Sequence, residues 1–313
     1  MKYSNIAVMV LAAKECGFIK SNAQFWSNYS KEQIFKKEIL NNKEILDEAK
    51  KILKDLEKED IEGMICAYDN EFPHISINVK NNGDRPFLLF YKGNLDLLKN
   101  LNRNVSVIGL TNPSENIAKR EITVVKKLVE CGLTIVSGLA NGCDEIAHKT
   151  CLDLGGKTIA FLPSTLKKIS PAKNRILANE IVEKDGLLIS EYYKEATSRR
   201  EIVSRYIERD RLQAMFSKAI ILIASYKKGQ GDSGSRHAME AARKYKIARF
   251  AIYNYKSDFA DMKMALNKEY VNGVGDYTVE ILGTKSIRKI NHLINPSLNN
   301  DEHGCDNKQL TIL

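Results

Sequence analysis

Proline is scarce, six in 313 residues, and the first 62 residues contain none. Pro-rich linker or collagen-like architecture is therefore excluded. Tryptophan occurs once, and the six cysteines (Cys16, Cys66, Cys131, Cys143, Cys151, Cys305) lie far apart, with no CxxC and no paired clusters. That spacing excludes a small disulfide scaffold and the usual structural zinc site, and predicts reduced thiols in a cytoplasmic protein with no metal and no cofactor. The one conspicuous apolar run, residues 6–13, is followed at once by Lys14 and Glu15. It reads as a buried helix, because a membrane span needs about 20 apolar residues and a signal peptide needs a small-residue cleavage site. With 43% hydrophobic residues the chain can bury a core, which excludes wholesale disorder. Acidic groups are the minority charge: 39 against 48 basic ones, a formal net charge of +9. Such a surplus favours an acidic partner such as nucleic acid.

Three segments follow from pattern. Residues 1–62 are rich in Lys, Glu, Ile and Leu, hold Gly17 as their single glycine, and space Leu40, Ile45, Leu46, Ala49, Ile52, Leu53 and Leu56 near the helical period. They predict a small all-helical N-terminal domain. Residues 63–283 open with turn-rich stretches around the apolar run 87–91. They then alternate apolar strand candidates at 105–108, 133–136, 158–162, 187–189, 219–224 and 249–252 with helical stretches. Strands apolar on both faces and separated by helices make a mostly parallel, doubly wound sheet, a Rossmann-like α/β fold. From 284 to 313 the period fades into a polar linker and a short tail.

Ligands of such sheets sit beyond the carboxyl ends of the strands, so the loops there are the candidate site. Ser137, Gly138, Asn141 and Gly142 form a glycine turn leading into a helix that begins near Cys143, a place where backbone N–H groups and the helix dipole favour an anion. Ser233, Gly234 and Ser235 form a second such turn after 219–224. Although Gly229, Gly231 and Gly234 spell G-x-G-x-x-G, they follow a late strand, against a dinucleotide fingerprint. Lys173, Asn174 and Arg175 open a further helix, and Arg199, Arg200, Arg205, Arg209 and Arg211 crowd the stretch before 219–224, where a guanidinium fork suits phosphate oxygens. Glu201, Glu208 and Asp210 interleave with those arginines, so pairing within a helix competes with ligand binding. Cys143, His148 and Cys151 do not converge as metal ligands, and no nucleophile-base pair stands out.

Taken in order, these motifs resemble those of the DprA/Smf family of DNA-processing proteins. The similarity begins at Phe87-Leu88-Leu89-Phe90-Tyr91-Lys92-Gly93-Asn94 and Val107-Ile108-Gly109. It runs through Ser137-Gly138-Leu139-Ala140-Asn141-Gly142-Cys143-Asp144, Pro171 to Arg175 and Ser190-Glu191-Tyr192, and ends at Arg209-Asp210-Arg211 and Ser233-Gly234-Ser235. The resemblance implies a Rossmann-like domain that binds single-stranded DNA without sequence preference, loads the RecA recombinase in recombination and natural transformation, catalyses no reaction and forms a homodimer. Its implied DNA contacts are Gly109, Ser137, Gly138, Asn141, Gly142, Lys173, Asn174, Arg175, Arg205, Arg209, Arg211, Ser233, Gly234 and Ser235. Three departures lower the positive potential: Gly109-Leu110-Thr111 stands where the family has Gly-Ser-Arg, Asp210 stands where it has Asn, and Glu208 stands at a preceding basic position. The last residues, with Gln309, Leu310, Ile312 and Leu313, resemble the short peptide by which bacterial proteins dock on the DNA sliding clamp. The alternative reading is a nucleotide-acting enzyme or sensor of the Lonely-guy phosphoribohydrolase type. In that family a glutamate falls where this chain has Ala238, two positions before Glu240.

Overall fold

The computed structural model describes residues 3–39, 41–56, 63–273 and 279–294. Four helices come first: α1 (Asn5–Glu15), α2 (Asn22–Asn28), α3 (Glu32–Ile39) and α4 (Lys43–Leu56). Serine starts two of them, since Ser4 Oγ accepts from Ala7 N at 3.1 Å and Ser21 Oγ from Gln24 N at 3.2 Å, satisfying donors that the first turn leaves without partners. In α1 the apolar run is buried from Ala7 to Ala13, which explains its lack of polar residues.

Nine strands then build one sheet: β1 (Gly63–Cys66), β2 (Leu88–Gly93), β3 (Asn104–Ile108), β4 (Thr134–Ser137), β5 (Thr158–Leu162), β6 (Leu187–Ser190), β7 (Ala219–Leu222), β8 (Ala248–Ala251) and β9 (Val279–Ile281). Their order across the sheet is β1-β2-β6-β5-β4-β3-β7-β8-β9. From β6 to β9 every pairing is parallel, while β1 and β2 close one edge antiparallel. The helices are α5 (Glu115–Glu130), α6 (Cys143–Asp153), α7 (Arg175–Glu183), α8 (Arg199–Met215), α9 (Ser235–Lys244), α10 (Ala265–Val271) and α11 (Thr284–Ile294). This is the mostly parallel, doubly wound α/β architecture that the apolar runs predict. Every residue of β3, β4, β5, β6 and β7 is buried, as strands covered on both faces must be.

Three differences from the sequence reading have physical causes. Strands β1 and β9 were not among the apolar runs read as strands; β1 spans four residues and β9 three, with Glu280 in its middle breaking the apolar run. Helix α11 lies where the period was expected to fade, and Ile287 and Ile290 reach the core from it. The N-terminal helices also share one apolar cluster with β1, β2 and α7. Phe25 stacks on Phe87 at 4.3 Å between centroids, and α1 residues pack in the same cluster as Leu88, Ala178 and Ile181. Gln309 to Leu313, which carries the clamp-like motif, lies outside the described residues.

Candidate nucleic-acid interface

Strand order places the topological switch at β3, whose two neighbours are β4 and β7. The loops after β3 and β7 therefore splay apart over its carboxyl end. Asp232 spans them: its Oδ2 accepts from Thr111 N at 2.7 Å and from Thr111 Oγ1 at 2.8 Å. Ser235 Oγ donates to Gly109 O at 2.9 Å, and Gly234 N donates to Asp232 Oδ1 at 3.4 Å. The structure thus brings Gly109, Ser233, Gly234 and Ser235 together as the sequence predicts. It spends much of their hydrogen-bonding capacity on one another and on a carboxylate.

The turn after β4 has the same character. Gly142 has φ +77°, and a Cβ there would fall 2.4 Å from Leu110 O, so only glycine lets the chain pass. That close approach allows Cys143 N to donate to Leu110 O at 2.9 Å, while Glu145 N donates to Ala140 O at 3.1 Å. The side chain of Asp144 folds back to accept from Ala140 N at 3.2 Å. Burial raises the Asp144 pKa, while Arg209 and the loop donors pull it down. An open anion cup was expected at Gly138 and Gly142; the protein's own Asp144 carboxylate occupies it, and Ser137 Oγ donates to Val107 O. At Gly138 a Cβ would lie 1.5 Å from a terminal nitrogen of Arg209, so that glycine is the bed of an internal guanidinium.

Helix α8 supplies that guanidinium and two more. Arg209 is buried, donates to Phe161 O at 3.0 Å and lies 3.1 Å from Asp210 and 4.0 Å from Asp144. Arg211 grips Glu191 through two nitrogens at 2.7 and 2.8 Å and donates to Asp84 O at 2.8 Å. Arg205 pairs with Glu201 at 2.7 Å and lies 4.2 Å above the Tyr192 ring. These three candidate DNA contacts are therefore paired inside the protein. The competing expectation of pairing within the helix holds for Arg205, whose partner is one turn away.

Asn174 is buried too, bridging Leu139 O and Ala140 O at 3.0 and 3.2 Å, and so holds the β4 turn in shape. What remains at the surface is Asn141, Lys173, Arg175 and Gly234, with Lys173 3.1 Å from Glu145. The first turns of α8 present exposed Arg199 and Arg200 together with Ile202, Val203 and Ile207, and Ile176 at the start of α7 is 71% exposed. Tyr206 joins the two helices' surroundings through its hydroxyl, 3.1 Å from Ser170 Oγ. The apolar members of this face were missed in the sequence because α8 is too polar overall to show a stripe. The available signal was the pair Arg199-Arg200 in a first turn capped by Ser198, at the positive end of the helix dipole where acids are favoured.

Among the described residues no group of three or more His, Cys, Asp or Glu side chains is arranged to hold a metal, and no helix is long and apolar enough to cross a membrane. His148 is buried with Nδ1 2.6 Å from Thr158 Oγ1, and burial lowers its pKa to about 3, so it is a neutral core residue. Glu240, the carboxylate nearest the position a phosphoribohydrolase would require, is paired with Arg236 at 2.8 Å.

Comparison with known proteins agrees with this architecture. The chain is 36% identical over 160 residues to the DNA processing protein DprA of Streptococcus pneumoniae, covering 51% of this chain and 54% of that one. It is 32% identical over 160 residues to the Protein Smf of Synechocystis, covering 50% and 39%. The chain thus matches about half or less of the length of these curated relatives. Among solved structures, DprA of Streptococcus pneumoniae superposes with a TM-score of 0.68 at 26% identity, over 92% of this chain and 97% of that one. The DNA processing protein A of Helicobacter pylori, solved to describe its single-stranded DNA binding mode, gives 0.58 at 25% identity over 74% and 96%. Residues 63–270, from the first strand through nearly all of α10, match the family model described as DNA recombination-mediator protein A, and the chain belongs to that family.

Proposed function

We propose that this protein binds single-stranded DNA without sequence preference along the carboxyl rim of its sheet and assists loading of a RecA-type recombinase in the cytoplasm, as a homodimer and without catalysing a reaction. The observation that carries the reading is the exposure of Lys173, Arg175 and Ile176 where α7 begins and of Arg199, Arg200, Ile202 and Val203 in the first turns of α8. Cations supply phosphate contacts and apolar side chains supply a bed for unstacked bases, the combination that single-strand binders use. Two exposed arginines share the first turn of α8 with the single acid Glu201, leaving a net cation there that suits a polyanionic partner. Gly138, Gly142, Asn174, Ser233 and Ser235 set the shape of the rim, on which Asn141 and Gly234 stay exposed, and Arg205, Arg209 and Arg211 hold α8 against it. The single-stranded DNA binding named for the Helicobacter pylori relative supports the choice of partner.

The test is a titration of fluorescent oligo-dT and matching duplex at several salt concentrations. Preference for the single strand is expected, with a log-log salt slope of about −0.7 per phosphate contacted. The triple variant Arg175→Glu, Arg199→Glu, Arg200→Glu should lose at least about tenfold in affinity while remaining folded, since these side chains are exposed. Equal affinity in that variant overturns the placement. Release of free base from nucleoside monophosphates would instead favour the phosphoribohydrolase reading. Residues Gln309 to Leu313 are read as a sliding-clamp peptide, and their deletion should abolish clamp binding measured by surface plasmon resonance.

A further inference from the structure

A second exposed cluster stands on the same rim, in the loop that follows β8. Tyr255, Phe259 and Met262 are 55%, 63% and 51% exposed, an unusual concentration of large apolar side chains in one short loop. The loop is anchored. Asp258 is buried and accepts from Arg120 through both oxygens at 2.9 and 2.8 Å, and it also accepts from Asn254 N at 2.8 Å. Lys263 Nζ donates to Asn112 O at 2.7 Å, tying the loop to the turn after β3. Tyr255 stands edge-on to the buried Tyr253 ring at 5.2 Å, so its base is held while its surface is open. Lys268 Nζ lies 3.5 Å from the centroid of Phe259, placing an ammonium directly against an exposed ring.

Rings held out to solvent by an anchored loop, with Lys256 exposed beside them and Lys268 against one of them, match the chemistry of an unpaired nucleotide: a π face for the base and a cation for its phosphate. We propose that Tyr255 and Phe259, with Met262, form a base-stacking platform that engages the continuation of a single strand whose first part lies on the α8 face. The proposal rests on the single-stranded DNA reading given above. The sheet sets the separation. From β5, beside α8, to β8 the order is β5-β4-β3-β7-β8, four spacings of about 4.8 Å or ~19 Å, a distance that a few nucleotides of an unstacked strand span. One strand following the rim meets the cationic face and the rings in succession.

The experiment uses the full chain and oligo-dT of ~16 nucleotides carrying one 2-aminopurine, whose fluorescence falls on stacking. The double variant Tyr255→Ala, Phe259→Ala should bind about tenfold more weakly and lose the position-dependent quench. Its melting temperature and its mass by light scattering should match those of the unmutated chain, and Tyr255→Trp should keep the quench. A folded double variant with unchanged affinity and quench overturns the platform. So does a variant whose mass halves, because the rings then pack against a second copy of the chain. Failure of the unmutated chain to bind any single strand overturns the functional reading itself, and this inference with it; binding that ignores the two rings overturns the inference alone.

Discussion

The first turn of α8 and the turns that follow it carry the same residue type to opposite ends. Arg199 and Arg200 in the first turn are exposed, whereas Arg205, Arg209 and Arg211 further along are each paired with carboxylates inside the protein. Arginine count alone therefore says little about a groove. What matters is whether an acid reaches the guanidinium first, and here Glu191, Glu201, Asp144 and Asp210 do.

The sharpest way to break that contrast is to truncate the paired arginines and compare them with the exposed ones. Arg209→Ala leaves Asp144 and Asp210 buried without their cation, and should cost about 3–5 kcal/mol in urea unfolding. Arg211→Ala frees Glu191, which is itself buried, and should cost ~2–4 kcal/mol by the same measurement. Asp210→Asn comes next. Burial pushes the Asp210 carboxyl up to about 7; Arg209 opposes this, and Asp144 and Asp232 add to it. Because the folded-state pKa lies above the unfolded one, the stability linked to this proton is complete below about pH 4 and is lost as pH rises through about 7. The amide variant should therefore flatten that fall and gain ~1–2 kcal/mol at pH 8, read from urea midpoints across pH. Smallest in stability is Arg199→Ala with Arg200→Ala, expected within about 0.5 kcal/mol of the unmutated chain. A stability loss there comparable to that of Arg209→Ala would erase the distinction between exposed and paired arginines.

Much of the fold was readable because β3 to β7 are buried on both faces and so appear as uninterrupted apolar runs bounded by turns. Gly138 and Gly142 were also readable as positions under constraint, since a glycine turn between strand and helix advertises a close approach. What approaches was not readable. The groups filling that space are Arg209 from a distant helix and Asp144 folding back on its own turn, and only the tertiary arrangement decides between them and an external anion. The rim cluster of Tyr255, Phe259 and Met262 was invisible for a related reason: apolar side chains in a loop look like core until their exposure is known.

The shared apolar cluster between the N-terminal helices and the sheet edge has a practical bearing on anyone who would shorten this chain. A version starting at Gly63 would keep the whole family-matched span yet strip Phe87 of Phe25 and uncover the ground on which α1 rests. Such a fragment would present a greasy flank and clump at modest concentration. The helical preface is a lid on the sheet rather than an ornament to it, and a trimmed chain would require polar replacements along that flank before it behaved in solution.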